Sequence, residues 1–353
     1  MNVMMSKLCF YMGYTPPFNG QNYGSQKVYG SEITSIKLAE SMTDLYTVYM
    51  FVNGLDESEE IIYNGVHYLN KNRLHTFENI DIMIVVRYIN YFIYFKNIAN
   101  KTFIYLHDVT VQPSYNGVIL HNNGDQFLYN LRDIYDKLVV LSEYHFNNNY
   151  NYIGIDKSKY TIIPNILDTS FYKPHVEKIK NSFIYMSDIS RGFDILLDCL
   201  IYIQKYIPDI SLVVFRSHEF TDTIKAKIKL LNNTTIYGKE SQAKIAEECL
   251  KAEYFFYPTN FAETFCNCAA EAQLYHCICI YNNIGALNTT IGNRGLQINY
   301  SINDIDYVEK TCNDVMDLMK NKQKKMDYIL RGHHWAKHLD IKYIKNMWLD
   351  LFK

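Results

Sequence analysis

The sequence predicts an α/β protein built from two doubly wound halves. Three observations carry this. The chain has 353 residues, too long for one ordinary core and suited to two of about 150–180. Short apolar runs, turns and amphipathic helices alternate, the pattern of a parallel sheet covered by helices. That alternation occurs once before and once after a junction near Pro164–Pro174.

The first half opens with a strand at Lys7–Met12, followed by a long Gly/Asn/Pro-rich loop from Gly13 to Gly30. A helix begins at Ser31, with Ile33, Ile36, Leu38, Ala39, Met42 and Leu45 as its apolar positions. Tyr46–Val52, Ile82–Val86, Thr102–Leu106 and Lys137–Leu141 read as further strands. In the second half Phe183–Met186 is a strand. The helix after Gly192 places Phe193, Leu196, Leu197, Leu200 and Ile203 on one face, a helical spacing. Strands follow at Ser211–Phe215, Tyr254–Tyr257 and Cys277–Tyr281, with helices from Ser241 and through Ala269–Leu274. The ending, Tyr328–Lys353, reads as helical and carries Trp335 and Trp348.

Composition narrows the function. Apolar residues make up 48% of the chain and charged residues 20%, enough to bury a sizeable core. The net charge of −2 gives no electrostatic footprint for nucleic acid, which needs a strongly basic surface. The run Lys320–Lys325 reads as a solvated face, with a weak peripheral membrane or phosphate contact as its alternative. Ile80–Phe95 is apolar but interrupted by Asp81, Arg87 and Asn90, so it falls short of the ~20 residues a spanning helix needs. The N-terminal stretch has Lys7 inside it and does not read as a signal peptide. Eight scattered Cys suit reduced thiols in a cytoplasmic protein. The C-x-C pairs Cys266/Cys268 and Cys277/Cys279 lack the usual zinc-ligand spacing, so no metal is expected.

Open parallel sheets bind ligands outside the carboxyl ends of their strands, and four segments lie there. Gly30-Ser31-Glu32 opens a helix whose N–H groups and dipole suit phosphate, with Ser31 as an ordinary N-cap the alternative. Leu106-His107-Asp108 ends a strand, where His107 is either a donor to a sugar hydroxyl or a structural His. Arg191-Gly192 enters a helix after a strand, where an Arg grips a diphosphate in bidentate fashion or stays on the surface. In Phe261–Ala272 two carboxylates, Glu263 and Glu271, stand eight apart across the small residues Cys266–Ala270. A helical wheel sets them about 80° apart, so both can border one ligand. Asp304-Ile305-Asp306 reads as a helix-start acidic pair.

The E-x7-E pair Glu263/Glu271 resembles that of the retaining GT-B glycosyltransferases of family four. "YGSEITSIKLAESM", "FIYLHD", "LVVLSEYHFNNNY", "YTIIPNILDTSFY", "FIYMSDISRGFDILLDCL" and "NNIGALNTTIGNRGLQI" resemble further segments of that family, in the same order over most of residues 7–300. The resemblance implies two Rossmann-like domains facing a cleft. An acceptor-binding domain would span 1–168 and a nucleotide-sugar-binding domain 169–335. A C-terminal helix, 336–353, would cross back to the first domain. It implies a glycosyltransferase moving a sugar from a nucleotide sugar to a glycan, lipid-linked or other hydroxyl acceptor. Anomeric configuration would be retained, with no required metal or cofactor beyond a UDP, GDP or dTDP sugar. Glu263 would sit by the donor sugar, Glu271 on the ribose hydroxyls, and Gly30, Ser31 and Arg191 on the diphosphate. Backbone at Thr264, Phe265 and Cys266 would also face phosphate, Tyr237 the base, and His107 the sugar and acceptor. Acceptor choice would lie in Gly13–Tyr29 and Val109–Gly124.

There are departures from the family pattern. The earlier basic position of the diphosphate segment is Met186 or Ser187, with Arg216 or Lys239 as candidate substitutes. Cys266 stands where Gly is usual, and Asn165-Ile166 where Asn-Gly is usual. A catalytically inactive carbohydrate-binding protein of this fold and another GT-B enzyme, such as a nucleotide-sugar epimerase or a phosphorylase, are the alternatives.

Overall fold

The computed structural model describes residues 5–21, 28, 30–95, 98–111, 114–115, 118–119, 124–216 and 218–353. Parts of both stretches expected to choose the acceptor, 22–27, 29, 112–113, 116–117 and 120–123, lie outside the described residues. The chain forms two compact units, one of Met1–Ile166 with Ile341–Lys353 and one of Leu167–Asp340.

The strands of the first unit are β1 (Lys7–Met12), β2 (Thr47–Val52), β3 (Glu60–Tyr63), β4 (Val66–Asn70), β5 (Ile80–Val86), β6 (Ala99–Tyr105), the short pair β7 (Ser114–Tyr115) and β8 (Val118–Ile119), β9 (Lys137–Val140) and β10 (Tyr160–Ile162). Its helices are α1 (Gly30–Ser41), α2 (Tyr91–Tyr94), α3 (Gly124–Asn130) and α4 (Glu143–Ile153). The sheet runs β10-β9-β6-β5-β1-β2-β4-β3. Its pairings are parallel except β3 against β4. β1 lies between β2 and β5 in register, Phe10 opposite both Met50 and Ile84. Both faces of β1 are buried, which is why its residues form an unbroken apolar run and not an alternating one. Strand order reverses at β1/β5, so the carboxyl ends of these two strands open the crevice of the unit.

The β3–β4 hairpin was not read from the sequence, though Asn64-Gly65 marks it. Both residues have positive φ, 45° and 79°, as a two-residue type I′ turn demands. The helical ending is two helices, α11 (Lys322–Ala336) in the second unit and α12 (Ile341–Phe352) in the first. α12 sets Ile344, Trp348 and Phe352 on one buried face. The Trp348 ring meets Tyr105 edge-on at 5.0 Å, and Lys101 Nζ donates to the Phe352 carbonyl at 2.6 Å.

The second unit has β11 (Ile179–Tyr185), β12 (Ser211–Phe215), β13 (Thr234–Tyr237), β14 (Ala252–Tyr257), β15 (Ile278–Asn282) and β16 (Leu296–Ile298). Its helices are α5 (Phe193–Gln204), α6 (Asp222–Ile228), α7 (Gln242–Lys251), α8 (Asn267–Leu274), α9 (Leu287–Thr290), α10 (Tyr307–Lys320) and α11. The order β13-β12-β11-β14-β15-β16, parallel throughout, is the Rossmann arrangement 3-2-1-4-5-6. α5 buries Phe193, Leu196, Leu197, Leu200 and Ile203, the face its periodicity predicts. The order reverses between β11 and β14, and the loops leaving those two strands carry the site.

Candidate active site

In the second unit, two glycines bring the key loops together. Gly192 precedes α5 with φ +94°, and a Cβ there would lie 2.0 Å from the Pro258 carbonyl oxygen. Only glycine lets the loop after β11 approach the loop after β14 so closely. Gly285, after β15, has φ +58°, and a Cβ there would lie 2.7 Å from the Glu263 nitrogen. Ala286 N–H donates to the Glu263 carbonyl at 2.8 Å. Glu263 is thereby fixed through its own backbone.

The loop after β11 is a tight turn. Asp188 Oδ1 accepts from Ser190 N–H and hydroxyl at 2.9 and 2.7 Å, and Tyr185 Oη donates to the Asp188 and Arg191 carbonyls at 2.8 and 3.1 Å. Arg191 leaves this turn and meets Glu263, Nη1 to Oε1 at 2.9 Å. Tyr257 Oη donates to the same oxygen at 2.7 Å. The guanidinium lies over the Phe261 ring at 3.9 Å, a cation–π contact. Burial works against the Arg191 charge, but Glu263 outweighs it and the pKa is raised. Burial, then Cys266 and Glu263, push the Tyr257 hydroxyl up, so it stays a donor. Glu263 itself is buried, and its carboxylate is an acceptor for two fixed donors.

Cys266 is the N-cap residue of α8, at φ 73° and ψ 81°. This left-handed backbone explains why glycine suits the position. It also corrects the helical-wheel argument. Glu263 lies in the loop and α8 begins only at Asn267, so no common wheel relates Glu263 to Glu271. What relates them is the tertiary arrangement: Glu263 at the loop, Glu271 on the helix that the loop enters. Glu271 Oε1 accepts from Gln242 Nε2 at 2.7 Å, which ties α8 to the first residue of α7. Gln242 was not singled out from the sequence; its position in the first turn after Ser241, the α7 N-cap, is the one cue to it. Thr264 is half-buried and Phe265 buried, and the Phe265 carbonyl accepts from the Thr290 hydroxyl.

Tyr237 is the last residue of β13 and not part of the loop after it. Its ring stacks on Phe215 at 5.2 Å, with Lys244 Nζ 5.0 Å above it. Arg216 follows β12 and pairs with Glu219, and Lys239 is exposed after β13. Asp306 occupies the N-cap position of α10, without a side-chain capping bond, and pairs with Lys310 at 2.6 Å. Among the described residues, no group of three or more His, Cys, Asp or Glu is placed to hold a metal ion, and no helix is long and apolar enough to cross a membrane.

In the first unit, α1 starts at Gly30, one residue before the sequence placed it. Ser31 is therefore inside the first turn, where its hydroxyl donates to Glu32 Oε2 at 3.1 Å. His107 is half-buried beyond β6, its ring 4.2 Å from that of Tyr105. Burial, then the charge of Arg87, holds its pKa well below the usual histidine value, so its imidazole is neutral at physiological pH.

No family model and no curated protein matches the chain. Solved structures do. TarM of S. aureus is 14% identical with a TM-score of 0.60, over 77% of this chain and 54% of that one, so the chain spans about half of TarM's length. Sucrose-phosphate synthase of Thermosynechococcus elongatus is 13% identical over 98% of each chain, with a TM-score of 0.73. HepE of Anabaena, solved with UDP, is 15% identical over 98% of this chain and 99% of that one, also with a TM-score of 0.73. The two Rossmann-like units of this chain thus have the GT-B fold.

Proposed function

We propose that the chain is a glycosyltransferase that takes its sugar from a nucleotide-sugar donor and retains the anomeric configuration. One observation carries the reading: Arg191 and Glu263 meet at the switch point of a 3-2-1-4-5-6 sheet, at the mouth of the helix that bears Glu271. Ligands of such sheets bind there. The likeness to HepE solved with UDP supports the donor class.

The chemistry follows from charge. The bond between the sugar's anomeric carbon and the phosphate oxygen breaks, and the nucleoside diphosphate leaves with the electron pair. Negative charge grows on the diphosphate and positive charge on the sugar. Arg191 and the N-terminus of α8 at Thr264, Phe265 and Cys266 stabilise the first; at the start of α1 in the first unit, Gly30 and Ser31 offer phosphate-binding N–H groups of the same kind. Arg191 pairs with Glu263; a bound diphosphate competes for the guanidinium and releases the Glu263 carboxylate toward the sugar. Glu271, held by Gln242, accepts from the ribose hydroxyls, and Tyr237 faces the base. The acceptor hydroxyl bonds to the anomeric carbon from the side the diphosphate leaves and passes its proton to a departing phosphate oxygen. Neutral His107 orients the sugar and the acceptor by hydrogen bonding and is not the base. No step calls on a metal ion.

Proton NMR of the first product from UDP, GDP and dTDP sugars, run with and without EDTA, tests this. The expected product from an α-linked donor is α-linked, with turnover unchanged by chelation. A β-linked product, or loss of all turnover on chelation, refutes the mechanism. Silence toward every donor together with tight glycan binding favours a carbohydrate-binding protein.

A further inference from the structure

Around His107 the first unit holds a group of charged and polar side chains that the reaction does not use directly. Arg87 follows β5 with φ +64°, an uncommon conformation for a residue with a side chain and a mark of local constraint. Its N–H donates to the Tyr105 carbonyl at 2.8 Å. Its guanidinium forks onto the carboxylate of Asp108, Nε to Oδ2 at 2.8 Å and Nη2 to Oδ1 at 3.1 Å, the strong planar geometry of an Arg–carboxylate pair. Asp108 is the next residue after His107.

The backbone of that same residue is held from α4. His145, fully buried, lies 3.0 Å by Nε2 from the Asp108 carbonyl, while its Nδ1 accepts from the Leu141 N–H at 3.2 Å. The two contacts together assign the proton to Nε2, because a nitrogen that accepts carries none. Asn148 Nδ2 donates to the next carbonyl, Val109, at 2.8 Å. On the other side, Tyr105 packs on the His107 ring and donates its hydroxyl to Asn165 Oδ1 at 3.0 Å.

We propose that Arg87 is a positioning residue for His107: its fork on the Asp108 carboxylate, with His145 on the Asp108 carbonyl, fixes the end of β6 and presents the imidazole in one orientation. This rests on the transferase reading for the use made of His107, but the arrangement is tested without it. The charged and titratable groups facing the ring are Arg87 beyond β5, Asp108 beside it, His145 from α4 and Tyr105 on β6. Buried Glu32 on α1 acts in turn on Arg87. Burial first, and after it the positive charge of Arg87, disfavour an imidazolium here, so the clamp that orients the ring also helps keep it neutral.

The experiment is NMR of uniformly isotope-labelled full-length protein, with the His107 signal assigned by comparison with His107→Gln. In the wild type the His107 ring titrates well below the ordinary histidine value. In Arg87→Met its titration midpoint rises by about one pH unit or more, the size of a removed neighbouring charge. Arg87→Lys, which keeps the charge but loses the fork, retains a low midpoint while the His107 and Asp108 amide signals shift and broaden. The proposal falls if Arg87→Met titrates as the wild type does, or if Arg87→Lys leaves those amides unchanged. With a nucleotide-sugar substrate in hand, Arg87→Met lowers kcat at least tenfold with KM within twofold. A wild type with no turnover defeats the transferase reading, and the titration and amide shifts still decide the role of Arg87.

Discussion

Replacing Gly285 with Ala separates steric from conformational effects at Glu263. The added Cβ would meet three backbone atoms: Glu263 N at 2.7 Å, Glu263 O at 2.8 Å and the Ala262 carbonyl carbon at 2.9 Å. The shortest contact falls about 0.8 Å inside the ~3.5 Å separation at which carbon atoms attract. Backbone cannot swing aside as a side-chain tip can, so the loop after β15 and the Glu263 loop must part. That stretches the Ala286–Glu263 hydrogen bond. Overpacking of this kind costs about 1–3 kcal/mol. The left-handed backbone adds about 1–2 kcal/mol for a residue with a Cβ, and the stiffer unfolded chain returns about 0.4–1 kcal/mol. The expected loss is about 1–5 kcal/mol, centred near 3. Gly154→Ala is the control, because its φ is +73° with nothing within 4 Å of the added Cβ. It carries only the conformational cost, about 1 kcal/mol. Differential scanning calorimetry of the three proteins decides. Gly285→Ala should lower the transition of its unit by about 5–12 °C. A Gly285→Ala melting no lower than Gly154→Ala would refute the packing argument.

Three further outcomes follow from the same geometry. His145 is fully buried and neutral, its pKa lowered by burial from 6.5 to about 4; between those values the unfolded chain takes up a proton that the folded one refuses. Stability should therefore fall as pH drops below about 6.5, by about 2 kcal/mol at pH 5, and urea unfolding should show a smaller loss in His145→Gln; an equal loss contradicts the assignment. Glu271→Ala should weaken nucleotide binding by about 1–3 kcal/mol in calorimetric titration, with Gln242→Ala following in the same direction, while Glu263→Ala should chiefly lower turnover. Cys266→Gly should stay within about 1 kcal/mol of the wild type in denaturant melts, because relief of the positive φ offsets the lost thiol packing, whereas the β-branched Cys266→Val should be clearly destabilised.

Much of the fold was legible because it is local. Lys7–Met12, Ser211–Phe215 and the α5 face after Gly192 are continuous patterns of residue type, and the structure places them where those patterns lie. Glu263 in a loop after a strand was legible for the same reason. The Arg191–Glu263 pair was not, since its partners lie 72 residues apart and meet only because two glycines let three loops close on one another. Gly192 and Gly285 were visible as letters, but their close approaches are tertiary facts. Arg87 carried no motif, and His145 lay in a family-like segment without being singled out: an Arg inside an apolar run and a His in an Asn/Tyr-rich helix give no hint of a shared target at Asp108. The wheel relating Glu263 to Glu271 failed because it assumed one continuous helix, and the left-handed backbone at Cys266 breaks it.

On the reading proposed above, the switch point of the second unit holds a nucleoside diphosphate sugar. Thermal unfolding with UDP, GDP, dTDP and ADP and their sugars, on the wild type and on Glu271→Ala, decides this. One nucleotide series should stabilise the wild type by about 2.7 kcal/mol at 100 times its Kd, and by clearly less in Glu271→Ala at the same concentration. A wild type unmoved by every nucleotide and nucleotide sugar at millimolar concentration, or a shift that Glu271→Ala leaves intact, would contradict it.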